Sequence, residues 1–151
     1  MQAFRAGLLR FDGENAVLDS DGLVVINAGH IEYAGDFASA PAQYAQAPVQ
    51  HWPGKIIAPG FVDLHLHYPQ LGVIGSPADG LLPWLENYTF PEEKRFGAGE
   101  YAAQTAAFFI AELLRNGVTT ASVFCTSHPH SVDAFMHEAS KHRLRMVAGT
   151  C

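Results

Sequence analysis

The stretch "IIAPGFVDLHLHYPQ", Ile56 to Gln70, begins like a buried strand yet places Asp63, His65 and His67 at every second position. On a strand, alternate side chains share a face, so this spacing predicts three polar groups pointing one way, with Phe61, Val62, Leu64 and Leu66 as apolar material. Imidazole is a good ligand for zinc or iron, and an i,i+2 pair on a strand lets two rings converge on one ion. The competing reading of the His65-Leu66-His67 motif is polar lining at a strand end. Asp63 has two readings: a group that orients a ligand, or a buried carboxylate with a structural hydrogen bond.

The elements that must position these groups follow from the flanking grammar. Pro59-Gly60 permits a tight entry into the strand. A long connection from Tyr68 to about Gly97 follows, carrying Pro69, Pro77, Pro83 and Pro91, with "DGLLPWLENY" as a short helix within it. Ala102, Ala106, Phe109 and Leu113 recur at helical spacing between Glu100 and Asn116. Ala103, Phe108, Ile110 and Leu114 broaden the apolar stripe, and Gly117 ends it. "VTTASVFC" reads as a strand, and Ser131 as the cap of a helix reaching His142, with Asp133 in its first turn; "LRMVAG" begins another strand. Strand, helix, strand, helix, strand implies parallel βα units, and a barrel is the natural home for such units.

Upstream, residues 3–12 and 22–35 read as short strands broken by glycine turns, one turn falling near Asn27 to Gly29. "DFASAPAQYAQAPVQHWPG" reads as a connector with a partial helical turn. Residues 1–55 therefore form part of a small β layer plus connector, and residues 56–151 the first βα units of a barrel, incomplete at the C-terminus.

Composition narrows the function classes. The 151 residues carry nine Lys and Arg against fifteen Asp and Glu, a formal net charge of -6, and no basic tract that would track a nucleic-acid backbone. No stretch reaches the roughly 18 apolar residues of a membrane span, and no secretory leader is evident, so the expected setting is cytoplasmic, without a membrane partner. Cys125 and Cys151 form no metal or redox spacing; Cys125 reads as a small buried hydrophobe.

At this point the residues carry a resemblance. "APGFVDLHLH" resembles the start of the barrel in the amidohydrolase superfamily, and "HLHYPQ" followed by "LLPWLENYTFPEEKRF" closely resembles its guanine deaminases. The likeness continues through "LLRNGVTTASVF" and "SHPHSVDAFMHEASKHRLRMVAG", and more weakly in "DGLVVINAGHIEYAG". The fold so implied is α/β, the beginning of a metal-dependent (β/α)8 barrel preceded by part of a small β-sandwich domain. The implied reaction is zinc-dependent hydrolysis of guanine, with water, to xanthine and ammonia.

The resemblance implies that His65 and His67 are two ligands of one zinc and that Gln70 faces the purine as a hydrogen-bonding selector. Leu81, Leu82 and Trp84 would help wall the pocket, Trp84 either enclosing the base or packing the loop. In the family the remaining metal histidines, the proton-shuttling glutamate and a metal-bound aspartate come from later strands. This chain is therefore expected to supply an incomplete site, with no catalytic residue beyond the metal ligands, and to associate with further copies of itself.

Other residues resist recruitment. His128 and His130 match a strand-to-helix loop with no ligand role; His137 and His142 fall on a helix, His30 and His51 in the small domain or connector. Glu92 and Glu93 read as the opening of a charged surface helix after Pro91. Two alternatives stand beside guanine deamination: hydrolysis of another purine, pyrimidine or halogenated heterocycle, and a noncatalytic, self-associating fragment.

Overall fold

The structure, a computed structural model, describes residues 1–45 and 48–150; Cys151 lies outside them. The chain divides into two compact units, Met1–Pro59 and Gly60–Cys151.

The first unit is a four-stranded sheet in the order β3-β2-β1-β4, built from β1 (Gln2–Asp12), β2 (Asn15–Asn27), β3 (His30–Asp36) and β4 (Val49–Ile57). Gly13, at φ +59°, turns β1 into antiparallel β2, and Ala28 and Gly29, at φ +50° and +83°, turn β2 into β3. Two successive positive φ values match the twist of paired strands, which is why the chain reverses there in two residues. The expected start of the second strand at residue 22 is seven residues late. "NAVLDSD" looks too polar for a strand, but Arg5 pairs with Asp21 at 2.6 Å and Arg10 with Asp19 at 2.7 Å across the β1–β2 ladder. Cross-strand ion pairs make those carboxylates compatible with the sheet.

The connector hides β4, which runs parallel to β1 and follows a four-residue helix α1 (Ala42–Ala45). Its sequence reads as a breaker because Pro53 and Gly54 interrupt it; Gly54 has φ +71°, and the register with β1 jumps there, from Arg5↔His51 to Gly7↔Ile56. Ala3, Leu23 and Val25 form the core of this unit, with Tyr33, Phe37, Tyr44 and Val49 against them.

The second unit holds a parallel three-stranded sheet, order β5-β6-β7, from β5 (Phe61–His67), β6 (Val118–Phe124) and β7 (Arg145–Gly149). Helix α4 (Gly99–Arg115) connects β5 to β6 and α5 (Pro129–Lys141) connects β6 to β7. Ala102, Ala106, Phe109, Ile110 and Leu113 bury one face of α4 against α5 and β6, whereas Phe108 is exposed. The core is aromatic: Tyr68 packs on Phe96 edge-on at 5.2 Å between centroids and on Phe135 at 5.4 Å, with Phe109 beside both.

The start of α5 differs from the expectation. Pro129 opens the helix, its fixed φ suiting the first helical position, so His128 rather than Ser131 is the N-cap and Asp133 falls beyond the first turn. Ser131 is fully buried instead, its Oγ accepting a 3.0 Å bond from the Thr126 backbone N–H. Cys125 is buried beyond the end of β6, where its N–H donates to the Gly149 carbonyl at 2.8 Å.

The expected long loop is largely helical. A 3-10 turn spans Tyr68–Val73; α2 (Leu81–Trp84) then runs through a π turn (Leu85–Thr89) into α3 (Phe90–Lys94) and a final 3-10 turn (Arg95–Gly97). Pro69 sits in the first turn of its helical segment, where no helical donor is lost, and Pro91 falls at the junction between the π turn and α3.

Candidate metal centre

Strand β5 does not keep a simple alternation. Asp63 lies opposite Ala121 and Leu66 opposite Val123, three steps along β5 against two along β6. The extra residue is a bulge, and it reverses the faces. Asp63 is thereby separated from the face of His65 and His67, correcting the expectation that all three point one way. Its carboxylate accepts the His65 backbone N–H at 3.0 Å, the structural reading of that residue. Leu66 packs into the core, whereas Val62 and Leu64 are 60% and 72% exposed.

His65 and His67 remain together at the C-terminal end of the strand, ring centroids 5.1 Å apart. Phe124, from the end of β6, stacks on His67 at 4.8 Å and 16° and lies 5.2 Å from His65. Burial, reinforced by His65, holds His67 below the ordinary histidine range, against an opposing pull from Glu93. That keeps the ring neutral, the form that ligates a metal. The donor set therefore fits zinc as a pair of imidazoles and fills two positions of a four-coordinate shell. Among the described residues, no group of three or more His, Cys, Asp and Glu side chains could hold a metal.

Gln70 sits one 3-10 turn beyond the pair. Its Nε2 lies 3.4 Å from His67 Nδ1 and donates to Glu93 Oε1 at 3.3 Å. Trp84 is half-buried at the end of α2, and Leu81 and Leu82 are exposed. Among the described residues, no ring contact or hydrogen bond joins Trp84 to the histidine pair.

The two glutamates correct the surface-helix reading. Glu92 is 8% exposed; Tyr101 Oη donates to Oε1 and Arg95 donates to Oε2 at 2.8 Å, while the Arg95 guanidinium lies over the Tyr101 ring. Glu93 reaches Gln70. Sequence patterning missed both because "PEEK" is a good first helical turn in any setting, and only the partners reveal which face is covered. His128 contacts Thr126 Oγ1 through Nδ1 at 3.1 Å, and His130, His137 and His142 are exposed.

A parallel sheet with helical crossovers and a His-x-His pair at a strand's C-terminal end defines the class. The chain belongs to the amidohydrolase family, whose model matches residues 56–151. Among individual proteins, it is 48% identical over 130 residues to the guanine deaminase of Escherichia coli strain K12, covering 85% of this chain and 30% of that protein. Among solved structures, the guanine deaminase of Bradyrhizobium japonicum superposes with a TM-score of 0.90 at 31% identity, over 98% of this chain and 34% of that one. The guanine deaminase of C. acetobutylicum with bound guanine in the active site gives 0.85 at 31% identity, over 99% and 36%. The chain thus spans about a third of the length of the relatives it matches. Among the described residues, no helix is long and apolar enough to cross a membrane.

Proposed function

We propose that this chain carries the metal-binding and purine-facing part of a zinc-dependent guanine aminohydrolase, which converts guanine and water to xanthine and ammonia. The observation that carries the reading is the convergence of His65, His67 and Gln70 at the C-terminal end of β5. In parallel barrels that end collects active-site groups. The similarity to guanine deaminases from several organisms supports guanine as the substrate.

In this reading His65 and His67 hold zinc. When bound, zinc supplies Lewis acidity, which makes water a nucleophile near neutral pH. Gln70 binds and orients the purine through an amide that can both donate and accept. Trp84, with Leu81 and Leu82, limits access of bulk water to the base. No proton-transfer role is assigned to this chain. Self-association and a cytoplasmic setting belong to the same proposal.

The test is a guanine-to-xanthine assay on protein purified at its native length, before and after chelation, with adenine and a halogenated triazine as competitors. Guanine turnover that chelation abolishes and zinc restores is the expected result. A preference for another heterocycle overturns the substrate, and absence of any turnover favours the noncatalytic reading. Light scattering on the same sample reads the association state.

A further inference from the structure

We propose that Glu93 is a positioning residue that sets the polarity of the Gln70 amide, leaving the amide oxygen as the end offered to the substrate. The inference rests on the purine-binding reading of Gln70 given above. The Gln70 amide nitrogen donates to Glu93 Oε1 at 3.3 Å, and this bond carries the inference; the same nitrogen lies 3.4 Å from His67 Nδ1. A primary amide donates only through nitrogen and accepts only through oxygen, and a carboxylate only accepts. Turning the amide end for end would set its oxygen against the Glu93 carboxylate with no proton between them. Glu93 therefore decides which end is which.

The helix that carries Glu93 is anchored through its neighbour. Glu93 lies on α3, where the adjacent Glu92 is bonded by Tyr101 and Arg95 and packs against the same 3-10 turn that carries Gln70. A Cβ added at Gly72 of that turn would come within 3.0 Å of Glu92 Oε1. Adjacent carboxylates thus address one turn, Glu92 at Gly72 and Glu93 at Gln70. The consequence is a chemical preference: an amide oxygen selects a heterocycle presenting an N–H at that position and disfavours one presenting a ring lone pair. Guanine carries a lactam N–H where adenine carries an unprotonated ring nitrogen.

The experiment uses the native-length, zinc-loaded protein and the variants Glu93→Gln, Glu93→Ala, Glu93→Asp, Gln70→Ala and the Gln70→Ala/Glu93→Ala pair. Glu93→Gln and Glu93→Ala should each lower kcat/KM for guanine about 10-fold with zinc content unchanged, and Glu93→Asp should recover part of it. The double variant should be no worse than Gln70→Ala alone, because Glu93 acts through Gln70. The side-chain amide signals of Gln70 in nitrogen-15 spectra should move in Glu93→Gln. Additive losses, an unchanged kcat/KM, or a loss that tracks lost zinc overturns the proposal. If Glu93→Ala does not fold, the near-isosteric Glu93→Gln decides. A wild-type protein that leaves guanine untouched defeats the functional reading; the amide signals then decide alone, moved signals sustaining the positioning contact and unmoved ones overturning it.

Discussion

The phenol of Tyr68 donates a 2.6 Å hydrogen bond to the backbone carbonyl of Ser131, tying the residue after the histidine pair to the first turn of α5, 63 positions away. Both residues are fully buried. Removing the hydroxyl in Tyr68→Phe leaves a buried carbonyl without that donor, and unfolding stability should fall by about 1 to 2 kcal/mol in a denaturant titration.

The same residue sets an alkaline limit. Burial, with Cys125 adding to it, raises the Tyr68 phenol above the ordinary tyrosine value of 10.0, against the lowering effect of its bond to Ser131. The folded protein keeps a proton that the unfolded chain releases, so this contribution is complete below that ordinary value and is lost as pH rises beyond it. Stability measured at increasing alkaline pH should decline in the wild type and decline less steeply in Tyr68→Phe. Equal slopes would show that other groups govern the alkaline transition.

His65 is exposed and His67 half-buried, so replacing either costs little packing. His65→Ala and His67→Ala should keep the native circular dichroism while losing most bound zinc and most zinc-dependent turnover in the native-length protein. Conversely, the 151-residue chain alone, with two imidazoles for a four-coordinate ion, should bind zinc weakly in a metal titration. Tight stoichiometric binding by these residues alone would contradict the pairwise donor set.

Gln70→Ala separates recognition from folding. The side chain is only part-buried, so thermal stability should change little, whereas guanine turnover should fall by the equivalent of about 1 to 3 kcal/mol when its substrate partner is left unpaired. Unchanged discrimination between guanine and adenine would return Gln70 to a packing role.

Gly60 tests the entry to β5. A Cβ there would collide with the side chain of Thr119 on the neighbouring strand. Gly60→Ala should therefore destabilise the second unit by about 1 to 3 kcal/mol, the cost of overpacking a tight contact, and a variant as stable as wild type would show that Thr119 can turn away.

The sequence by itself determined the repeating parts: the β5 strand with its histidine pair, the apolar stripe of α4, and the alternation of strands and helices that forces a parallel sheet. These are legible because each depends on a local period, two residues for a strand and 3.6 for a helix, that side chains impose on their own segment. What the tertiary structure decided depends on partners distant in the chain. Asp19 and Asp21 belong in a strand only because Arg10 and Arg5 stand across from them. Asp63 leaves the histidine face only because β6 pairs with β5 out of step. Glu92 and Glu93 are indistinguishable in "PEEK", yet one is buried under Tyr101 and Arg95 while the other meets Gln70. A hydrogen bond or a bulge is a relation between two segments, and its free energy appears only when the fold brings both to the same place.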